Sequence, residues 1–464
     1  MISLTRDKLA EIVGGKVVAS GERINFSGAE YDSRQIKGGE LFVALRGEKV
    51  HGEAFVEEVL ARGAAVCLVE NASLLQSCSF PERIVQVPDT LLAFQNLAAW
   101  WRKELKLPVA AITGSVGKTT VKELCAAILL IASRGCYSLK SHNNHVGVPY
   151  TILRADAQDA WLLLELGMNH AGELRRLTKI SAPDVSAITM IAPAHLEYFE
   201  SIEAIADAKF EIFEGLGTSG VAVLNAEDPQ ILTALTRHPL GAKLVRYGSR
   251  SGLDAQLFSV ESLGFDGLKL RFSIGRDIIE AQSTLIGKHN ALNIVCAALV
   301  AKTLVPGLRV DQISQGIANF RAPLMRLDKK VLKDGRVIID DCYNANPASM
   351  RASIEFLGEL RSAGKSVGMI LGDMLELGQR SRELHGEIGQ CAVGVKPGFL
   401  VTVGESSREI YEAARTANVK AFQADTPEAA AEIARKIPVD VLLVKGSRGM
   451  GLDRAVKKFL DREE

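Results

Sequence analysis

The residues Thr113, Gly114, Ser115, Val116, Gly117, Lys118, Thr119 and Thr120 follow an apolar run, "VAAIT" (109–113), and open a segment with apolar residues at Val121, Leu124, Ile128 and Ile131. That order predicts strand, glycine-framed turn, helix. Backbone N–H groups from Gly114 to Thr119 would surround phosphate oxygens, aided by the partial positive charge of the helix N-terminus. Lys118 would neutralise the β- and γ-phosphates, and the Thr119 hydroxyl would ligate Mg²⁺. The plainer alternative, a glycine turn beside an exposed lysine, does not account for the strand–loop–helix context. Two residues separate the glycines, against four in the general P-loop. The motif therefore predicts nucleotide binding without specifying the class of NTPase.

Three further groups could complete a metal site. Glu165 ends the apolar run "WLLLEL" (161–166). In an open parallel sheet the carboxyl ends of the strands face the ligand crevice, where a carboxylate can hold Mg²⁺. It could equally be a polar strand end. His195 follows the run 185–191 at the same predicted edge, as a metal or catalytic group or as a structural histidine. Lys209 belongs to "SIEAIADAKFEIFEGL" (201–216), a predicted helix with Ser201 as its N-cap. Its apolar stripe is Ile202, Ile205, Ile212, Phe213 and Leu216, and Lys209 falls within that stripe. A lysine there must snorkel, find a charge partner or lose its proton. A neutral amine can also take up CO₂ as a carbamate, which turns a cation into a carboxylate-like ligand.

These groups need elements to position them. The 464 residues exceed a single core and suggest two to four domains. The composition, 47% hydrophobic and 24% charged, is that of a globular chain. Lys plus Arg equals Asp plus Glu, so no global field favours nucleic acid or an anionic membrane. No apolar run approaches the roughly 18 residues of a spanning helix, and the charged N-terminus lacks a signal-peptide core. Seven cysteines without a CxxC pair point away from disulfides and thiolate zinc, towards the cytoplasm.

Short apolar segments, "LFVAL" (41–45) and "AAVCLVE" (64–70), mark a small α/β domain over 1–85. A connector helix in 86–107 carries Phe94, Leu97, Ala98, Trp101 and Leu105. It leads into a central domain, 86–320, with nearly unbroken apolar strands at 109–113, 161–166, 185–191 and 221–225, as in a mainly parallel sheet. Residues 255–287 alternate and read as antiparallel, before a helix starting near Lys288. The runs 337–340, 366–371, 399–403 and 439–444 predict a third, Rossmann-like α/β domain over 321–464. The expected fold class is thus α/β in three domains, with clefts between them.

The segments "TGSVGKTT", "ELGMNHAGE" (165–173), "HLEYF" (195–199), "ADAKFEIF" (206–213), "GKHNALNIVCAAL" (287–299), "RAPLMRL" (321–327) and "VKGSRGM" (444–450) resemble the Mur ligases of bacterial peptidoglycan synthesis. The resemblance spans nearly the whole chain in order. "DDCYNANPASM" (340–350) and "LGDMLELG" (371–378) are similar to segments of the member that adds D-alanyl-D-alanine, and "DSRQIKGGELFVALRGEKVHG" (32–52) looks like that member's uridine-nucleotide domain.

The resemblance implies an ADP-forming ligase whose small-molecule substrates are ATP, a UDP-N-acetylmuramoyl-tripeptide and D-alanyl-D-alanine, joined through an acyl phosphate. It implies two Mg²⁺ ions on Thr119, Glu165, His195 and Lys209, the last carbamylated by CO₂. Lys118, Lys209, His195 and Arg326 would be catalytic. Asn290 and Asn293 would face adenine, while Arg326 and Asp341 would close over γ-phosphate and ribose. Ser33 and Arg34 would contact uridine diphosphate, Asn143 and Asn144 the muramoyl-peptide, and Asn344, Asn346 and Ser349 the dipeptide. Plainer readings stand beside these: Asn290 as a helix cap, Asn346-Pro347 as a turn, Arg326 as a surface residue, Asp341 paired with a cation. "VHGEAF" (50–55) departs from the Asp-Gly-His order of relatives, so His51 is assigned no role, and "KSHNNHVG" departs just before Asn143. A monomer with hinges near 106–108 and 320–323 suits a protein that opens and closes. The alternatives are a related ligase with a different amine substrate, a P-loop kinase or GTPase, and a non-catalytic binding module. No Asn-Lys-x-Asp guanine motif is present.

Overall fold

The structure, a computed structural model, describes residues 1–47, 50–71, 78–194 and 196–461. Three sheet systems follow one another along the chain. The N-terminal one has strands in the order Lys16–Val17, Ile84–Gln86, Val66–Val69, Leu41–Val43 and Ala29–Glu30, beside a two-stranded antiparallel pair, Ser3–Thr5 with Asn25–Ser27. The helix Thr90–Leu105 then leaves this unit, capped by the Asp89 carboxylate, which accepts from Leu92 N–H at 2.7 Å. One turn of the next unit holds its far end: Arg102 donates to the Ser181 and Ala182 carbonyls, each at 2.9 Å.

The central sheet has nine strands, in the order Asp277–Ser283, Leu268–Ile274, Ala255–Ser262, Lys243–Gly248, Val221–Asn225, Val185–Ile188, Val109–Thr113, Leu162–Glu165 and Cys136–Tyr137. It is parallel from Ala255–Ser262 to Cys136–Tyr137, and Leu268–Ile274 and Asp277–Ser283 join it through antiparallel pairs. Every residue of Val109–Thr113 and Leu162–Glu165 is buried, because helices cover both faces. The helix Asn290–Leu304 lies on one face. Ile294, Val295, Leu299, Val300 and Leu304 are buried along it, each contributing about 1.5–3 kcal/mol of apolar burial. The other face takes Glu173–Ser181 and Ile202–Phe210, packed with Leu174, Leu177, Ile205 and Phe210.

Two central elements differ from the sequence reading. The run 185–191 stops being a strand at Ile188, because Thr189 to Ala192 leave the ladder to bond the P-loop. The helix expected over 201–216 is α-helical at Ile202–Phe210 and tightens to a 3₁₀ turn at Glu211–Gly215, with Ser201 as N-cap as the spacing predicts.

The third sheet runs Asp328–Val331, Val337–Asp341, Val441–Lys445, Val367–Gly372, Phe399–Val403, Ala421–Ala424, with only its first strand antiparallel. Its edge strands, Asp328–Val331 and Ala421–Ala424, were not legible, since neither forms an apolar run. All seven cysteines are free. Among the described residues no helix is long and apolar enough to cross a membrane.

Candidate active site

The P-loop strand Val109–Thr113 lies between Leu162–Glu165 and Val185–Ile188, with Glu165 beside Ile112 and Ile188 beside Thr113. Three strands therefore end at one level, and their carboxyl ends open onto one cavity of about 590 Å³ shared with the third domain. Gly117, at φ +88°, turns the chain into the helix Lys118–Ala132, and a Cβ there would come within 2.6 Å of Asn293 Oδ1. Only glycine lets the loop and the helix Asn290–Leu304 approach so closely.

The Thr119 hydroxyl is the meeting point. It donates to Glu165 Oε1 at 3.2 Å and accepts from Arg326 Nη2 at 3.1 Å. Asn143 Nδ2 donates to the same Glu165 oxygen at 2.9 Å. Glu165 Oε2 is buried with no hydrogen-bond partner, an arrangement a cation would satisfy. Among the described residues no group of three or more His, Cys, Asp or Glu side chains is placed to hold a metal. Thr119 and Glu165 would thus hold Mg²⁺ together with phosphate oxygens and water, the set this hard ion prefers.

Lys118 donates to the carbonyl of Gly114 at 2.5 Å, folded onto its own loop. Burial lowers its pKa, against the opposing attraction of Glu165. Lys209 is buried, at 2% exposure, and no carboxylate among the described residues offsets its charge. Burial, reinforced by the like charge of Lys118, pushes its pKa well below the ordinary lysine range. A shift in that direction favours the neutral amine, the form that takes up CO₂. His195 lies outside the described residues.

Arg326 is presented by strained backbone. Its neighbours Met325 and Leu327 are both left-handed, at φ +62° and +51°, a conformation that costs non-glycine residues free energy and tends to occur at functional sites. Two bonds hold it: Leu327 N–H to Asp341 Oδ1 at 3.1 Å, and Tyr343 N–H to the Met325 carbonyl at 3.2 Å. The guanidinium then stacks 4.2 Å from the centroid of the Tyr343 ring. The Tyr343 hydroxyl bonds Ser141 of the central domain.

Asn290 and Asn293 line the cavity one turn apart, Asn293 Nδ2 donating to Asn290 Oδ1 at 2.9 Å. Asp341 lines it too, yet it is already paired with Lys445 at 2.6 Å and accepts from Ser353 at 2.6 Å, so the plainer ion-pair reading also holds. Asn346 caps the helix Pro347–Ser362 in a reciprocal box with Ser349. Asn144 Oδ1 accepts from the N–H of Gly147, the first residue of the helix Gly147–Arg154, at 2.8 Å. Asn344, Asn346, Ser349, Asn143 and Asn144 all reach the cavity wall. Ser33 and Arg34 do not: they form a short 3₁₀ turn in the N-terminal unit, with Arg34 paired to Asp32 at 2.7 Å.

Family models for the Mur ligase middle domain (112–301), the Mur ligase glutamate ligase domain (325–448) and the Mur ligase family catalytic domain (25–102) match the chain. A UDP-N-acetylmuramoyl-tripeptide–D-alanyl-D-alanine ligase from Escherichia coli (strain K12) is 32% identical, covering 98% of each chain. The protein of that name from Bacillus subtilis (strain 168) is 31% identical over 99% of each. The chain belongs to the Mur ligase family. Among solved structures, MurF from Acinetobacter baumannii superposes with a TM-score of 0.88 at 28% identity, covering 99% of each chain. MurF from Thermotoga maritima in complex with ADP gives 0.79 at 25%, covering 94% of this chain and 97% of that one.

Other residues of this Mur ligase cavity escaped sequence reasoning. Lys445 ends a buried strand beside Asp341, a signal available from strand-end position. Tyr343 and Ser141 carried none, since their contact spans two domains. Arg176 also lines the cavity and pairs with no carboxylate among the described residues, whereas its neighbour Arg175 pairs with Glu211 and Glu214.

Proposed function

We propose that this chain is an ATP-dependent, ADP-forming ligase that joins D-alanyl-D-alanine to the terminal carboxylate of a UDP-N-acetylmuramoyl-tripeptide in peptidoglycan precursor synthesis. The observation that carries this reading is the Thr119 hydroxyl, which joins the P-loop, the strand-end carboxylate of Glu165 and the third-domain Arg326 at one cavity. A kinase needs phosphate and acceptor sites. This cavity adds a wall from a third domain, where an amine substrate can wait.

A carboxylate does not condense with an amine near neutral pH, because its oxygen is a poor leaving group. The tripeptide carboxylate attacks the γ-phosphorus of ATP, the bond to ADP breaks, and an acyl phosphate forms. The D-alanyl-D-alanine amine then attacks the acyl carbon, loses a proton, and inorganic phosphate departs. Negative charge gathers on the phosphoryl group, so the protein's work is positioning and electrostatics. Lys118 swings from the Gly114 carbonyl to the β/γ-phosphates, and Arg326 neutralises the transferred group. Asn290 and Asn293 hold adenine, and Asp341 the ribose. Asn143 and Asn144 orient the muramoyl-peptide, Ser33 and Arg34 the uridine diphosphate, and Asn344, Asn346 and Ser349 the dipeptide.

Thr119, Glu165 and His195 would hold Mg²⁺, with carbamylated Lys209 serving a second site, and the ions would supply charge neutralisation on the phosphates. The orphaned Glu165 Oε2 and the buried Lys209, unpaired among the described residues, support that assignment. We divide the chain into 1–85, 86–320 and 321–464, and place the protein as a monomer in the cytoplasm, without nucleic-acid or membrane partners. The test is phosphate release from ATP with the UDP-tripeptide and D-alanyl-D-alanine, each omitted in turn. Release requires all three substrates; equal release from ATP alone would refute the ligase reading.

A further inference from the structure

The P-loop here is two residues shorter between its glycines than the general motif, so it wraps less of itself around a phosphate. Its shape comes from outside. The segment Thr189 to Ala192 leaves the neighbouring strand and lies along the loop. Ser115 N–H donates to the Met190 carbonyl at 2.6 Å, and Ser115 Oγ to the Ala192 carbonyl at 3.0 Å. Thr189 N–H donates to the Thr113 carbonyl at 2.9 Å, and Thr189 Oγ1 to the Val116 carbonyl at 2.6 Å. Gly114 makes room for this: its φ is +151°, and a Cβ there would overlap the Thr189 hydroxyl. Thr189 is itself braced, its carbonyl accepting from the buried Tyr247 hydroxyl at 3.1 Å and from Asn225 Nδ2 at 3.3 Å.

The Val116–Gly117 peptide is trans, as are all others among the described residues. Carbonyl and N–H of one trans peptide point in opposite directions. A hydroxyl that holds the Val116 carbonyl away from the cavity therefore turns the Gly117 N–H towards it, where a phosphate oxygen would sit. We propose that Thr189, which lies outside the glycine motif, is a positioning residue for the β- and γ-phosphates. It acts by fixing the orientation of the Val116–Gly117 peptide. The inference rests on the nucleotide-binding reading above.

The test compares ADP with AMP, which lacks the phosphates the loop holds, by calorimetry or NMR titration of the full chain. Thr189→Ala should weaken ADP about tenfold and leave AMP within twofold. Thr189→Ser, which keeps the donor, should match wild type. In turnover, KM for ATP should rise in Thr189→Ala while KM for the UDP-tripeptide stays unchanged. ADP bound as tightly by Thr189→Ala as by wild type overturns the proposal, as does an equal loss for ADP and AMP, which marks general damage. If Thr189→Ala does not fold, Thr189→Cys replaces it, its thiol being a poor donor. Weakened ADP with unchanged AMP then supports the proposal, and unchanged ADP overturns it. Failure of wild type to bind ADP removes the nucleotide reading itself, a distinct result.

Discussion

Two lysines of the central domain are almost fully buried, and their surroundings give them opposite fates. Lys122 donates to the carbonyls of Ser138 and Lys140 at 2.7 and 3.2 Å and pairs with Glu123 at 2.5 Å. Its charge is compensated, and it pins the loop that carries Ser141 and Asn143. Lys209 meets no such partner among the described residues, and its pKa falls well below the ordinary 10.5 through burial and the charge of Lys118. Between the lowered folded value and the unfolded value, the unfolded chain binds the extra proton, so stability rises with pH. In CO₂-free buffer Lys209→Met should gain less stability than the wild type as pH rises towards 10.5, read as the difference in unfolding temperature between the two. Lys209→Ala should lose most phosphate release, on the order of 100-fold, with partial recovery in short carboxylates that occupy the emptied space. Full activity in that variant would exclude the carbamate role. The buried stripe containing Lys209 was legible from helical spacing. Lys122 carries no comparable signal, because two of its partners, the Ser138 and Lys140 carbonyls, come from the segment after the strand Cys136–Tyr137.

At the scale of elements, helix ends do much of the placing. Asn346 and Ser349 close the first turn of Pro347–Ser362 with bonds of 2.9 and 3.0 Å. The proline at the first helical position fits that turn without losing a donor. Asn346→Ala should cost about 1 kcal/mol locally, seen as roughly fivefold faster amide exchange in the first turn. Because this turn lines the cavity, KM for D-alanyl-D-alanine should rise more than KM for ATP; Asn346→Asp, which keeps the cap, should restore the exchange protection. Such caps are readable from sequence, since the interacting groups lie three residues apart. The early end of the strand at Ile188 was not readable, since an apolar run gives no sign that its last residues serve a neighbouring loop.

For the whole molecule, the contacts that matter cross between domains. Arg326 reaches Thr119, Tyr343 reaches Ser141, and Glu197 N–H donates to the Glu376 carbonyl at 3.1 Å. These tie the third domain to the P-loop, to the loop before Asn143 and to the segment after His195. Arg326→Ala should lower kcat by about 100-fold and change ADP affinity by less than about threefold, since the P-loop, Asn290 and Asn293 stay intact. Equal losses in both would argue against a role confined to the closed state. Tyr343→Phe keeps the ring beneath Arg326 and removes only the hydroxyl, so its kcat should fall far less than that of Arg326→Ala.

Local covalent order determined the parts of this protein whose partners are near in the chain. The strand–loop–helix cradle, the caps at Ser201 and Asn346, and the buried face bearing Lys209 all follow from spacings of one to eight residues. Backbone geometry alone brings such groups together. Tertiary structure decided the rest: which oxygen of Glu165 stays unpartnered, that Thr189 shapes the loop, and that Arg326 meets Thr119 across 207 positions. Those contacts depend on strand order and domain docking, which are set by burial summed over whole sheets and leave no periodic trace at the residues they join.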